Sequence, residues 1–339
     1  MMHLGFNEAR DQRYAHRDSR FDHVLHICDA NWHGIRNCVG ALPGHKLTID
    51  SKSPVTATGL KHIVGLIFQH DIRRICFQGY SPVADAIARE LNNRFKGDLA
   101  QFYVGHVNSA QLEYYFEMDM QALLVAAFKE GIFSRIGSVK PGFHHVFSGC
   151  FEPTIINLPP IDPFQEAKPP KKEANSLFMP LETGWRKNLW TNMIAALQAP
   201  GVEKIYTVNW PKGLDALFEM DRVQVTGFLD RQGMFQRMAR SEIVLNMTLA
   251  ECQPMIQLEA MAVGTPALMG ALDIPELKDE WAQMTEVSPA DTPEHLINAL
   301  IKLKEAMKTD ERAVYAMMAD HLERRSVLGL NRLSEFLYV

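Results

Sequence analysis

A chain of 339 residues that is 47% apolar and 22% charged has the mix of an ordinary soluble globular protein, long enough for two domains or one large one. That mix excludes a disordered, collagen-like or fibrous chain, and no run of about 18 uncharged apolar residues marks a membrane span. Its 35 Lys and Arg against 40 Asp and Glu leave a net charge of −5.

The total hides a split. Residues 1–165 hold 16 basic and 16 acidic side chains, whereas residues 166–339 hold 19 and 24. Eleven of the 13 histidines lie in the first half. The halves therefore read as built for different partners. The opening segment is polar and arginine-bearing, without the apolar core of a signal peptide. Five scattered cysteines (Cys28, Cys38, Cys76, Cys150 and Cys252) form no CxxC pair. Both features predict a protein of the reducing cytoplasm.

In chain order, Arg10, Arg13, Arg17 and Arg20 come first, spaced 3, 4 and 3. On a helix they would form one basic stripe able to touch a polyanion such as a DNA backbone, an anionic membrane or a phosphate-bearing acceptor. Asp11, Asp18 and Glu8 dilute that stripe and suit a solvated arm equally well. Strands are predicted at 24–28, 45–49, 75–80 and 101–106. Helical patterns follow from Gly34, over 59–69, over 82–95 and over 112–130. Further strands are predicted at 136–139 and 154–158. This alternation predicts a parallel sheet with helices on both faces.

Residues 159–175 carry five prolines. Proline fixes φ and removes a donor, so this segment reads as a linker, and the first domain is placed at 1–165. The rhythm then restarts. Strands are predicted at 176–181, 204–210, 222–229, 242–248 and 265–270. A second domain is placed at 176–315, and the helical end, 316–339, is expected to pack back on the first domain.

The segment Asn246-Met-Thr-Leu-Ala-Glu251-Cys-Gln-Pro254-Met-Ile-Gln-Leu-Glu259-Ala-Met-Ala-Val-Gly264-Thr-Pro is the most informative. A helix starting near Pro254, which suits its first position, puts Glu251 in the preceding loop and Glu259 in the second turn. The helix start offers unpaired N–H groups and a partial positive charge, suited to a diphosphate. Two glutamates near a helix start are also what helix electrostatics favours without any ligand.

This segment resembles the signature of the retaining GT-B glycosyltransferases of family 4, with its E-x7-E spacing followed by LEAMA-x-GTP. Residues 178–197, 225–229 and 274–279 resemble further segments of that family. The resemblance implies an α/β GT-B fold, two Rossmann-like domains with a cleft between them. It implies a metal-independent hexosyltransferase that retains anomeric configuration and needs no cofactor beyond a nucleotide-sugar co-substrate, UDP-glucose or similar. Glu259 would bond the ribose, and Glu251 would lie near the transferred sugar. The backbone of Pro254, Met255 and Ile256 would hold sugar and phosphates. Arg186 and Lys187 would pair with the diphosphate. His106 would meet the sugar, and His33-Gly34 resembles the glycine-rich loop after the first strand. The family's arginine five residues before the lysine is Glu182 here.

The acceptor is a glycan or lipid-linked glycan by base rate, with a modified base in DNA as an alternative. A nucleotide-sugar epimerase and a non-catalytic GT-B binding module keep the fold and change the chemistry. His144-His145 has no third ligand at metal spacing and reads as surface. Trp185 and Trp210 read as core or loop packing rather than stacking platforms.

Overall fold

The computed structural model of the protein describes residues 5–6, 14–145, 149–161, 163–164 and 169–338. The chain divides into two compact units, one of Met1–Ile161 with Val327–Val339 and one of Asp162–Ser326.

In the first unit, strands β1 (Gly5–Phe6), β2 (Val24–Asp29), β3 (His45–Ile49), β4 (Arg74–Gln78), β5 (Ala100–Gly105) and β6 (Arg135–Ser138) form one sheet. Their order is β1-β3-β2-β4-β5-β6. Only β1 runs antiparallel to its neighbour. The strand order reverses between β2 and β4, the position where open α/β sheets leave a crevice beyond their carboxyl ends. Helices α1 (His33–Ala41), α2 (Ala57–Gln69), α3 (Pro82–Phe95) and α4 (Tyr115–Lys129) supply the crossovers.

Local chemistry sets these elements. Ser81 caps α3 by accepting from the Ala84 N–H, and Pro82 takes the first turn, where its missing N–H costs nothing. Val83, Ala84, Ile87, Ala88 and Leu91 repeat at helical spacing and are buried against the sheet. Residues 75–78 are buried at every position, as a strand covered on both faces requires.

Two expectations fail in this unit. Residues 154–158 form no strand, although 155–158 are buried. Cys150 makes one bridge to Ile136, and the Ile155 N–H donates to the Ser138 carbonyl. Pro153 and the Pro159-Pro160 pair bracket the segment and cannot donate to a ladder. The arginine stripe also fails where it is described. Arg10 and Arg13 lie outside the described residues. Arg17 sits in non-helical backbone, and Asp18 is extended, at φ −155°. Arg20 forks onto the Asp18 carboxylate, which draws it away from any shared face.

The second unit places β7 (Ser176–Met179), β8 (Lys204–Thr207), β9 (Val223–Val225), β10 (Ile243–Asn246), β11 (Ala267–Gly270) and β12 (Glu286–Val287) in the order β12-β11-β10-β7-β8-β9. Every pairing is parallel. Read from the first strand, this is the doubly wound nucleotide-binding order, and it reverses between β7 and β10. Helices α5 (Leu189–Gln198), α6 (Arg231–Arg240), α7 (Met255–Ala262) and α8 (Glu280–Thr285) accompany it.

The last helix, α9 (Pro293–Tyr338), is interrupted at Asp310, whose extended backbone lets its carboxylate cap the Ala313 N–H. The helix runs unbroken through 315–316, and its residues from Val327 belong to the first unit. There Gly329 lies so close to Ile156 and Leu158 that an added Cβ would meet the Ile156 carbonyl at 3.1 Å and collide with Leu158. No helix among the described residues is long and apolar enough to cross a membrane.

Candidate functional site

The reversal point of the second sheet gathers its charges. The turn after β7 becomes a short 3-10 helix, Trp185–Lys187, ending on left-handed Asn188. The loop after β10 carries Glu251. The two loops are tied by the Leu249 N–H donating to the Arg186 carbonyl at 2.9 Å. The Lys187 ammonium reaches Glu251 Oε1 at 2.5 Å. The Arg186 guanidinium reaches the same oxygen at 3.3 Å and the Ala250 carbonyl at 3.0 Å. Two cations thus share one carboxylate, and none of the three is fully buried.

Two asparagines hold this arrangement from below. Asn192, fully buried in α5, donates to the Met247 carbonyl at 2.7 Å and accepts from the Met247 N–H at 3.2 Å. Asn188 donates to the Ala290 carbonyl at 2.7 Å. Backbone groups buried in a loop need such partners. The loop after β10 is therefore bound to the start of α5 by both backbone groups of one residue.

The signature helix begins one residue later than its proline suggests. Pro254 has an extended ψ of 131°, so it caps α7 and Met255 is the first helical residue. The N–H groups of the first turn, including Met255 and Ile256, have no acceptor four residues back within the helix. Glu259 follows one turn along, 2% exposed, with Oε1 3.9 Å from Arg231 Nε. Glu251, Arg186 and Lys187 meet directly, while Glu259 stands with Arg231, a residue sequence reasoning missed. Glu182 is exposed in the loop ahead of Trp185.

The corresponding end of the first unit carries the histidines His33 and His106. His33 opens α1 and Arg36 Nη2 lies 3.2 Å from its Nδ1. Gly34 has open space where a Cβ would sit, so no steric demand fixes glycine there. The demanding glycine is Gly79 after β4, at φ +80°, where a Cβ would meet the Trp32 ring at 2.6 Å. His106 follows β5 and its Nε2 lies 2.8 Å from Gln78 Oε1. Burial pushes the His106 imidazole down to about 4, so the ring is neutral at pH 7.

The remaining candidates separate. The His144 and His145 rings lie 4.0 Å apart, tilted by 50°, and His144 lies 3.4 Å from Glu152. Trp185 and Trp210 are exposed, at 52% and 37%, which overturns the core role expected as one alternative for them. Trp185 opens the short 3-10 helix after β7, and Trp210 lies in the loop after β8.

Asn188 precedes α5 as its left-handed cap and Asn192 lies in the first turn of the helix, so a pair of asparagines at a helix start is the signal the sequence offers. Gln78 offered no signal, because its histidine partners are 28 and 52 residues away.

Residues 205–306 match the family model described as glycosyl transferases group 1. No curated protein matches the sequence. Among solved structures, Anabaena Alr3699/HepE in complex with UDP is 15% identical, covers 91% of this chain and 97% of its own, and superposes with a TM-score of 0.63. The UDP-forming α,α-trehalose-phosphate synthase of Burkholderia xenovorans is 11% identical over 92% of this chain and 99% of its own, at 0.59. The sucrose-phosphate synthase of Thermosynechococcus elongatus is 14% identical over 90% and 94%, at 0.56. The fold is that of these GT-B structures: two Rossmann-like α/β domains.

Proposed function

We propose that the protein is a glycosyltransferase that takes a UDP-sugar and transfers its sugar, with retained configuration and without a metal, to a glycan or lipid-linked glycan. The observation that carries this reading is the cluster at the reversal point of the second sheet. Arg186 and Lys187 converge there on the loop that leads into α7. Cations beside a helix start form a diphosphate site. The family match spans Glu251, α7 and Glu259, and Anabaena HepE is solved with UDP and with UDP-glucose.

The chemistry follows from the charges. Breaking the bond between the sugar carbon and the diphosphate oxygen leaves the electron pair on the nucleotide. Arg186, Lys187 and the first amides of α7 absorb that charge in place, the largest single contribution such a site makes. The acceptor hydroxyl forms the new bond and releases its proton to the departing phosphate. Glu259 is assigned to the ribose hydroxyls, Glu251 to the sugar, and His106 to the sugar through the resemblance of its position after β5. The acceptor is assigned by base rate.

A thermal-stability screen with UDP, GDP, ADP and their sugars tests the donor. UDP and its sugars should raise the melting temperature with the logarithm of concentration above saturation. The absence of a shift with every nucleotide would overturn the reading. Incubation with a UDP-sugar and a glycan acceptor, followed by NMR of the product anomer, tests retention.

A further inference from the structure

The first unit holds a polar chain in which the proposed transfer accounts for His106 but not for the buried His26 and Gln78 behind it. His26 in β2, Gln78 in β4 and His106 after β5 meet side by side because β4 pairs with both flanking strands. His26 is fully buried and Gln78 is 2% exposed. Gln78 Oε1 stands 2.8 Å from His106 Nε2. Its Nε2 stands 3.2 Å from His26 Nδ1 and 3.3 Å from Cys76 Sγ.

The chemistry of the amide fixes the protons. An amide oxygen only accepts, so His106 Nε2 carries the hydrogen. An amide nitrogen only donates, so His26 Nδ1 is a lone pair. A neutral imidazole has one N–H, and His106 Nδ1 is therefore an acceptor. Burial keeps both rings neutral, with His26 pushed to about 3 and Lys46 and His45 of β3 adding their repulsion.

We propose that Gln78 is a positioning residue that sets the hydrogen-bond polarity of His106, so that Nδ1 accepts from a substrate hydroxyl and disfavours an anionic oxygen. The hydroxyl being that of the donated sugar rests on the glycosyltransferase reading; the tautomer does not.

Nitrogen-15 NMR of the full-length protein at pH 7 should show His106 Nε2 as the protonated nitrogen and Nδ1 as the bare one. Gln78→Glu keeps the shape and supplies a carboxylate. It should move the His106 titration midpoint up into the ordinary histidine range. Gln78→Leu, checked for folding by circular dichroism, should raise the KM for the UDP-sugar roughly tenfold, the weight of one lost hydrogen bond. It should leave the Kd for UDP unchanged. Protonation of His106 at Nδ1, an unmoved midpoint in Gln78→Glu, or an unmoved KM in Gln78→Leu would each overturn the proposal. A wild-type protein that binds no UDP yet shows the expected tautomer would overturn the donor reading and leave the polarity assignment standing.

Discussion

The carboxyl ends of the two sheets solve different problems with the same topology. Both sheets reverse strand order near their middle. At that point the second unit places Arg186 and Lys187 within hydrogen-bond reach of Glu251. The first unit places neutral His26, Gln78 and His106. The net charge of each half does not anticipate this. The acidic half holds the cation pair, and the neutral half holds rings that burial keeps uncharged. The cation pair is thus a local arrangement, made on a half whose overall charge opposes it.

The contrast can be sharpened first by stability. Asn192→Ala removes the side chain that satisfies both backbone groups of Met247. The Met247 carbonyl keeps a 3.3 Å bond from the Asn188 amide, so the N–H is the group left unpaired. That costs about 1–3 kcal/mol, and urea unfolding should show a loss in that range. A loss below about 0.5 kcal/mol would mean that the loop after β10 is not held from α5.

The neutral end should be visible in acid. The unfolded histidines titrate near 6.5 and the folded ones far lower, at about 3 and about 4. Their stabilisation is full above the unfolded value and is lost as pH falls toward the folded values. Each such histidine should contribute a slope of about 1.4 kcal/mol per pH unit between pH 6 and pH 5. Denaturant titrations of His106→Asn should be flatter by about that amount over this interval. Equal slopes in wild type and variant would place a charged His106 in the folded state.

The smallest effect belongs to the N-terminal arm. Arg20 pairs with Asp18 at an exposed site, so Arg20→Ala should change stability by no more than about 1 kcal/mol.

Much of this was legible in sequence because it is periodic or local. Ser81-Pro82 marks the start of α3, and the run that follows places its buried face. Glu251 and Glu259 stand out through their spacing around Pro254. What stayed hidden is non-local. Nothing near Gln78 announces two histidines on neighbouring strands, and nothing near Asn192 announces Met247, 55 residues on. The failure at 154–158 has another cause: apolar β-branched residues read as a strand, but the prolines on either side deny the segment a ladder. The arginine stripe failed because spacing implies a face only on a helix, and the described part of that segment is not one.

The central claim is that Arg186 and Lys187 form a diphosphate site in the second unit. Titration calorimetry with UDP tests it in wild type and in the Arg186→Ala, Lys187→Ala double variant. Two charge-assisted contacts are together worth about 3–6 kcal/mol, so the double variant should bind at least about a hundredfold more weakly. UDP binding of equal strength in both proteins would contradict the claim.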